Sequence, residues 1–468
     1  MSGKTNYFLI FLLAILILLP AKAIAYGLKG YVDGTRLNSD GSVDIWGWAC
    51  DDGDERALSV HIYLGAEAGK GKLYKGIIAN RANEAVVNEV CHTSNTSHRY
   101  LATLPASDVA KYTGQFVYIH GISQHGPNRL LKNSGRYAIP RPLSANSETA
   151  DCTTSQKASL LNSVSASGVI TNCNLTLNPT DRIIPRLHIR GLEGNGVVYD
   201  CRGATLENGI SIEASTTLNP YTNTYDYPSP SNVTIKNCTI NKQVIVNGMA
   251  SNPNYFNNVI ESSRQLWHVE RVQFYAPKNI VFNNVTFGGA QTKLYVHIGT
   301  TNLSVRNSRF IGTSEHAVIY LDAETAFNTI ENNVFDTTSR LREVIAVDGS
   351  AHNVIKNNVF NRIAKGAVHT YRNCGERGLI RHQTPDHNLI EGNTFNNSSP
   401  ANTWAVWLAS RNGNRNYCED DSGYAFGSSA DNRDLSRHNI VQYNYFQNYV
   451  SIKVDETPNT VHGNGLIN

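Results

Sequence analysis

A short motif recurs through the second half of the chain and constrains its fold more than any other feature. Two asparagines five residues apart, with a phenylalanine two residues further on, occur in NTIENNVF, NVIKNNVF, NLIEGNTF and NIVQYNYF, which begin at Asn328, Asn353, Asn388 and Asn439. A sister form, with an apolar residue one position later, begins at Asn232, Asn279, Asn302 and Asn459. The basic spacing is near 25 residues, and a unit this short must stack on its neighbours to bury a shared core.

The asparagines predict the corners of a parallel β-helix. Asn tolerates the left-handed conformation of a sharp corner, and amides in successive coils can hydrogen-bond as a ladder. The 47 residues between Asn232 and Asn279 leave room for one further, hidden coil. The signature of leucine-rich repeats is missing, and a propeller would use units of about 40 residues. From about residue 151 to residue 468 the chain resembles the right-handed parallel β-helix (pectate-lyase-like) superfamily of carbohydrate-active proteins, although no specific family is identified.

The rest of the chain predicts a secreted protein with a second domain. Lys4, the apolar run that follows it and Ala23-Ile24-Ala25 are typical of a signal peptide at residues 1–25, which would leave no membrane segment after cleavage. Short alternating runs within residues 26–140 predict a small antiparallel β-sandwich, a possible glycan-binding or accessory module. Its Trp46 and Trp48 lie on the same face of one strand. We expect this face to belong to the core, although it could instead stack on sugar rings. Residues 141–150 read as a linker, and residues 151–468 as the β-helix.

Cysteine and charge counts narrow the class of protein. The eight cysteines include no zinc-ligand spacing, so disulfides are expected, with Cys50 pairing Cys91 and Cys374 pairing Cys418. A secreted, extracellular or periplasmic location fits that expectation. Because 41 Lys and Arg nearly balance 38 Asp and Glu, the composition argues against a nucleic-acid binder. The oligomeric state stays open.

Strand alternation predicts which side chains leave the core on one face of the β-helix. Ile345 and Val347 are apolar and should point inward, which turns Ala346 and Asp348 outward. The same phase in neighbouring coils gives two outward columns. The first holds Tyr295, Tyr320, Ala346, His369, Trp407 and Lys453, and the second holds His297, Asp322, Asp348, Tyr371, Ala409 and Asp455. Aromatic rings beside acids and histidines suit an extended sugar chain, unless these residues are only solvated or covered by loops.

The favoured function is β-elimination or C5 epimerisation on an acidic, uronate-containing polysaccharide. Such chemistry needs a positive group at the uronate carboxylate, a base for the C5 proton and an acid for the leaving oxygen. We assign carboxylate binding to Arg372 together with Arg377 or Arg381, and base and acid to His369 and Tyr371 in an order that stays open. The arginines could equally form ion pairs with nearby acids. The predicted substrate-binding residues are His297, Tyr295, Tyr320, Arg377, Arg381, Trp407 and Lys453.

Two aspartates leave alternatives open. Asp322 and Asp348 would lie one coil apart and repel when both are ionised, so either one has a raised pKa or a cation such as Ca²⁺ binds between them. They could instead be the carboxyl pair of a glycoside hydrolase, although the motifs of polygalacturonases and alginate epimerases are absent. A third possibility is a glycan-binding or adhesin β-helix without catalysis.

Overall fold

The computed structural model describes residues 27–141, 149–373, 378–396, 403–412, 424, 427–428, 430–431 and 433–467. The predicted signal peptide, most of the predicted linker, Arg377 and the predicted Cys374–Cys418 pair lie outside these residues. Nowhere in the described residues is a helix both long and apolar enough to cross a membrane.

The amino-terminal part is the predicted antiparallel β-sandwich. One sheet contains Leu28–Leu37, Val43–Asp51, Ser97–Leu104 and Arg81–Ala82, and the other contains Lys72–Ile78, Ser59–Leu64, Val117–Ile122 and Arg129–Leu130. Apolar side chains alternate along these strands and fill one core between the sheets. Two short helices, α1 (Ala85–Cys91) and α2 (Ala106–Tyr112), connect strands. The predicted Cys50–Cys91 disulfide is present and fixes α1 beside Trp48, which is buried.

The remainder is a right-handed parallel β-helix, as the repeats predicted. Three parallel sheets of ten strands each enclose one continuous apolar core, and each coil gives one strand to each sheet. The sheet that carries the predicted columns, here called the site sheet, contains Gly168–Ile170, Arg186–Arg190, Ile210–Glu213, Val244–Asn247, Leu294–Val296, Ile319–Leu321, Ile345–Asp348, Val368–Tyr371, Val406–Leu408 and Ile452–Val454.

In the first form of the motif, the repeated asparagines come directly before strands of the other two sheets, and the phenylalanines lie in strands of the third sheet. The second sheet contains Leu175–Thr176, Val198–Asp200, Thr234–Lys236, Val281–Asn283, Ser304–Arg306, Thr329–Glu331, Val354–Lys356, Leu389–Glu391, Ile440–Gln442 and Thr460–His462. The third contains Arg182–Ile183, Thr205–Leu206, Thr239–Ile240, Thr286–Phe287, Arg309–Ser314, Val334–Ser339, Val359–Phe360, Thr394–Phe395, Tyr445–Phe446 and Gly465–Leu466. Its phenylalanine rings stack inside the core, with the Phe335 and Phe360 centroids 4.6 Å apart.

Helix α3 (Thr154–Asn162) and two further disulfides lie near the first coils. The Thr153 hydroxyl accepts from the backbone N–H of Gln156, whose side chain accepts from the backbone of Thr153, so α3 begins with a capping box. Leu160 of this helix packs on the β-helix core. The disulfides join Cys152 to Cys173 and Cys201 to Cys238. Together with Cys50–Cys91 they indicate folding in an oxidising compartment.

The two roles predicted for the asparagines, the left-handed corner and the hydrogen-bonded amide ladder, belong to neighbouring residues. In the first form of the motif, Asn358 is buried and its Oδ1 accepts from the backbone N–H and the Nδ2 of Asn333, each at 3.0 Å. The left-handed conformation belongs to the residue before each of these asparagines, for example His352 before Asn353 and Asn357 before Asn358. The prediction that these asparagines themselves take that conformation is therefore wrong. Their burial as a hydrogen-bonded ladder is what the repeat encodes.

The sister form is shifted by one residue. Asn232, Asn279 and Asn302 have left-handed backbones and are exposed, so they occupy the corner position that His352 takes in the first form. The apolar residue that follows each of them, Val233, Ile280 or Leu303, fills the position of the buried amide. Because the sister form begins one residue earlier in its coil, its last apolar residue comes one position later in the motif than the phenylalanine of the first form. Asn459 belongs to the first form instead, because its Oδ1 accepts from the backbone N–H and the Nδ2 of Asn439.

The long spacing after Asn232 holds an insertion instead of a hidden coil. Strands Thr234–Lys236 and Val281–Asn283 are direct neighbours, so the expectation of another coil is wrong. The extra residues form short 3-10 turns (Met249–Ser251 and Pro253–Tyr255) and the helices α4 (Phe256–Ser263) and α5 (His268–Tyr275). This helical insertion packs against the sandwich on one side and against the turns that follow the site sheet on the other.

Candidate functional site

The site sheet has the predicted register. Parallel pairing aligns the first outward column residue by residue across successive coils, as Tyr295, Tyr320, Ala346, His369, Trp407 and Lys453. Asp348 pairs with Tyr371 in the second column, and His297 and Asp322 follow directly after their strands. Neighbouring hydrogen-bonded strands are about 4.8 Å apart, so side chains in one column contact each other. The sequence therefore located these side chains on one sheet face.

The middle of the second column is covered, which the sequence left as an alternative. Asp322, Asp348 and Tyr371 are 4%, 0% and 0% exposed. The covering segment is residues 378–387, part of the longer repeat between Asn353 and Asn388. The helical insertion holds it through two hydrogen bonds of Ser263: its hydroxyl accepts from the Ile380 N–H, and its carbonyl contacts His382 Nε2.

Arg381 of this segment lies between the two aspartates. Its Nη1 contacts Asp322 Oδ1 at 2.7 Å and Asp348 Oδ2 at 3.5 Å. Burial works against the charged form of Arg381, but the two carboxylates hold its pKa well above the usual range. The guanidinium thus supplies the positive charge for which the sequence suggested a proton or Ca²⁺, and its place does not fit a cation between the aspartates. No group of three or more acids, histidines or cysteines in the described chain could hold a metal.

Asp348 is saturated with protein donors. Its Oδ1 accepts from the Asn373 backbone N–H at 2.7 Å, and its Oδ2 accepts from the Tyr320 hydroxyl at 2.5 Å and from the Asn373 side chain at 2.7 Å. A fully buried carboxylate with these partners cannot reach a substrate. It positions Tyr320 and Asn373 instead.

A second buried cluster surrounds Glu343. The Tyr371 hydroxyl donates to Glu343 Oε1 at 2.7 Å, Arg342 contacts the same oxygen at 3.3 Å, and His369 Nδ1 lies 3.9 Å from Oε2. Burial raises the pKa of Glu343, but Arg342 and His369 outweigh it and lower that pKa. The Arg411 guanidinium stacks on Tyr371, 3.9 Å from its ring centroid.

Burial changes what His369, Tyr371 and Arg372 can do. Burial lowers the pKa of His369, and burial together with Glu343 raises that of Tyr371 well above its usual value. Arg372 is fully buried and donates to the backbone carbonyls of Arg433 and Arg381, so it lies beneath the site and does not face a substrate. Its position argues against the assigned contact with a uronate carboxylate, and it supports the covering segment instead.

Beside the two buried clusters, around Arg381 and around Glu343, some side chains of the site sheet and its turns stay partly exposed and form an open strip. We use this name for the partly exposed side chains of Tyr295, His297, Tyr320, Arg342, Trp407 and Lys453. The Tyr295 and His297 rings stack with centroids 3.8 Å apart. Asp322 Oδ2 accepts from the Tyr295 hydroxyl at 3.4 Å and lies 3.9 Å from His297 Nδ1. Burial lowers the pKa of His297, and burial and Asp322 raise the pKa of Tyr295, so both groups are neutral near pH 7.

Two arginine N–H groups lie beneath the strip, out of reach of solvent. The Nε atoms of Arg342 and Arg381 are buried and have no hydrogen-bond partner among the described residues. At the far end, Lys453 Nζ lies 4.3 Å from the Trp407 ring centroid, and Trp407 Nε1 donates to Asp455 Oδ2 at 2.8 Å. The sequence did not single out Arg342, Asn373 or Arg411, because each lies between strands, where strand alternation gives no direction.

Glu324 gives the covering segment a pH dependence. Its oxygens accept the backbone N–H groups of His382 and Gln383, and burial raises its pKa from 4.5 to about 7. The folded state therefore binds this proton more tightly than the unfolded state, and the contribution of Glu324 to stability falls as pH rises from 4.5 to 7. We expect urea unfolding of Glu324→Gln at several pH values to lack that loss. An unchanged difference between the two proteins across this window would contradict the assignment.

Comparison with known proteins adds likenesses of fold at low identity. No protein-family model and no curated protein matches the chain. Among solved structures, an endo-xylogalacturonan hydrolase from Aspergillus tubingensis is 11% identical with a TM-score of 0.35, covering 69% of this chain and 90% of its own. The A-module of a mannuronan C-5 epimerase from Azotobacter vinelandii is 13% identical with a TM-score of 0.32, covering 68% and 95%.

A third similar structure is the catalytic domain of a GH87 alpha-1,3-glucanase in complex with nigerose. It is 10% identical with a TM-score of 0.25 and covers 94% of this chain and 98% of its own. These are likenesses of fold alone. The strand order itself identifies the chain as a right-handed parallel β-helix, the fold of the pectate-lyase-like superfamily.

Proposed function

We propose that the protein is an enzyme that removes the C5 proton of a uronate residue in an extracellular polysaccharide bound along the open strip. The observation that carries this proposal is the stacked Tyr295–His297 pair, which is partly exposed and lies beside Asp322, the ion-pair partner of Arg381. Tyr320 and Trp407 extend the strip on a rigid sheet, and rings of this kind pack on the apolar faces of sugars.

His297 and Tyr295 suit the roles of base and acid better than the buried His369 and Tyr371. A neutral imidazole can take the C5 proton, and a neutral phenol can give its proton to the leaving oxygen. The electron pair of the C5–H bond then forms the C4–C5 double bond as the C4–O bond breaks. Because His297 and Tyr295 project from the same sheet face, they approach one side of the sugar ring. This arrangement suits elimination better than epimerisation, in which the proton must return to the opposite side.

Arg342 suits the uronate carboxylate, because its side chain is 28% exposed. The charges of Arg342 and of the buried Arg381 would stabilise the negative charge that develops when C5 loses its proton. Within this proposal, Asp322 and Asp348 position Arg381, and Glu343 positions Arg342. His369 makes an edge contact with the Trp407 ring, has its Nε2 2.9 Å from the Trp404 carbonyl, and is a positioning residue.

The glycosidase alternative has one observation in its favour. Because both aspartates contact the same Arg381 nitrogen, their nearest oxygens lie closer than the roughly 6.5 Å lower limit for inverting enzymes, as a retaining pair would require. Asp348, however, is fully buried and accepts protein donors at both oxygens. It therefore has no free oxygen to serve as nucleophile or to carry a proton to a glycosidic bond.

A product assay tests the proposal. The purified protein is incubated with polygalacturonate, alginate and neutral glucans, each with and without chelator. We expect a rise in ultraviolet absorbance from unsaturated uronate ends with an acidic substrate. In a parallel reaction in D₂O, deuterium at C5 without new chain ends would indicate epimerisation. New reducing ends without absorbance would indicate hydrolysis. Binding without any of these products would support the non-catalytic alternative and contradict the proposal.

A further inference from the structure

The β-sandwich contains a cavity at the edge of its first sheet, and no residue of the site sheet lines it. Its volume is about 420 Å³, within the usual range for sites that bind a small molecule or a few sugar rings. Its walls include Tyr31 and Trp48 on neighbouring strands, and Leu130 and Val90. The two aromatic ring centroids are 5.5 Å apart. Because Leu130 and Val90 are 38% and 40% exposed, this apolar surface is open to solvent.

The cavity is held in shape by covalent and backbone bonds. The Cys50–Cys91 disulfide fixes the end of α1, which carries Val90, against the strand of Trp48. On the opposite wall, the segment around Lys132 is bound to the first strand, because the Lys132 N–H donates to the Gly30 carbonyl at 3.1 Å. A binding surface built this way loses little conformational entropy when a ligand binds.

Three basic side chains line the cavity. Lys132 Nζ lies 5.1 Å from the Tyr31 ring centroid and donates to the Tyr31 hydroxyl at 3.1 Å. Lys29 contacts Asp52 at 3.0 Å. Arg129 and Lys132 are exposed, and neither has an acidic partner among the described residues. The cavity thus combines ring faces for the C–H groups of a sugar with an excess of positive charge for a carboxylate.

We propose that this cavity is a second binding site for the acidic polysaccharide. It would recognise a uronate-containing stretch of the polymer outside the open strip. The proposal rests on the proposed function for the identity of the polymer. The sandwich packs on the helical insertion beside the site sheet, so a long polymer held by both surfaces would gain effective concentration at the strip. The sequence had left the sandwich as a possible glycan-binding module and favoured a core place for Trp48. Trp48 is buried yet also forms part of the cavity wall.

The test measures binding in the full-length chain by calorimetry. The background variant is His297→Ala, which should slow turnover enough for binding to be measured, and the probes are oligogalacturonate, oligoalginate and a neutral cello-oligosaccharide. Charge reversal by Arg129→Glu with Lys132→Glu changes exposed side chains only, so folding should be unaffected. Lys72→Glu with Lys75→Glu, on exposed positions of the same domain, changes the net charge equally and is the matched control.

We expect the Arg129/Lys132 variant to lose at least tenfold in affinity for one of two sites, and the control to lose much less. Equal losses in both variants would show an effect of net charge alone, and unchanged binding would also overturn the inference. So would equal binding of the neutral oligosaccharide. If the unmutated protein turns over no uronate but the cavity variant still loses binding, the proposed function fails while the second site stands. If the unmutated protein turns over uronate but the cavity variant binds as tightly as its background, the proposed function stands and the second site fails.

Discussion

His297→Ala is expected to lower kcat/KM on the uronate polymer by about 10² to 10⁴-fold, the usual contribution of a general base. The side chain is 23% exposed, so its removal should change the melting temperature little. Tyr295→Phe keeps the ring that stacks on His297 and removes only the proton donor. A similar loss in kcat with little change in KM is therefore expected. The measurement is the initial rate of absorbance increase.

Matched controls come from residues of the same types on the other sheets. His462→Ala and Tyr445→Phe change exposed side chains, away from the site sheet. Both should retain nearly full activity. If His369→Ala and Tyr371→Phe abolish the rate while the His297 and Tyr295 variants remain active, the buried pair would carry the chemistry, as the sequence alone suggested.

The pH profile gives an independent check on these roles. Burial lowers the pKa of His297, with Asp322 opposing, and a base must be unprotonated to act. We expect kcat/KM to fall on acidification only below the ordinary histidine pKa of about 6.5. Tyr295 has a raised pKa and should remain protonated beyond about pH 10. An acid limb well above pH 6.5 would exclude His297 as the base.

Strand alternation predicted much of the architecture because a parallel coil imposes one phase on every repeat. Once Ile345 and Val347 were set inward, the register of neighbouring strands followed, and Tyr320, His369 and Trp407 align as expected. The same reasoning misread the corner asparagines. A buried amide and a left-handed corner are adjacent positions, and a one-residue shift between the two motif forms is invisible without coordinates.

The cover over the second column could not be predicted from the repeat. Strand alternation states that Asp348 leaves the core, but not that Asn373 and Arg381 then enclose it. These residues come from segments between strands, where side-chain direction depends on tertiary contacts. The outward phase of a β-helix strand thus gives a list of candidates, and the insertions decide which of them a substrate can reach.

Arg381→Met should be the most destabilising single change in the site. The substitution preserves much of the volume but leaves Asp322 and Asp348 as close, buried carboxylates without the charge between them. Breaking a buried ion pair in this way costs about 3 to 5 kcal/mol. We expect a loss of this size in the free energy of unfolding, measured by urea denaturation, together with loss of activity.

A second variant separates the charge effect from the loss of packing. Adding Asp322→Asn to Arg381→Met removes one of the two unpaired charges and should restore part of the stability but no activity, since the positive charge of Arg381 beside the site is still missing. Arg437→Met is the control, because its side chain is 41% exposed in its pair with Glu456 and such pairs contribute at most about 1 kcal/mol. If Arg381→Met and Arg437→Met cost the same, the aspartates do not depend on Arg381. A cation or a proton would then have to balance their charge.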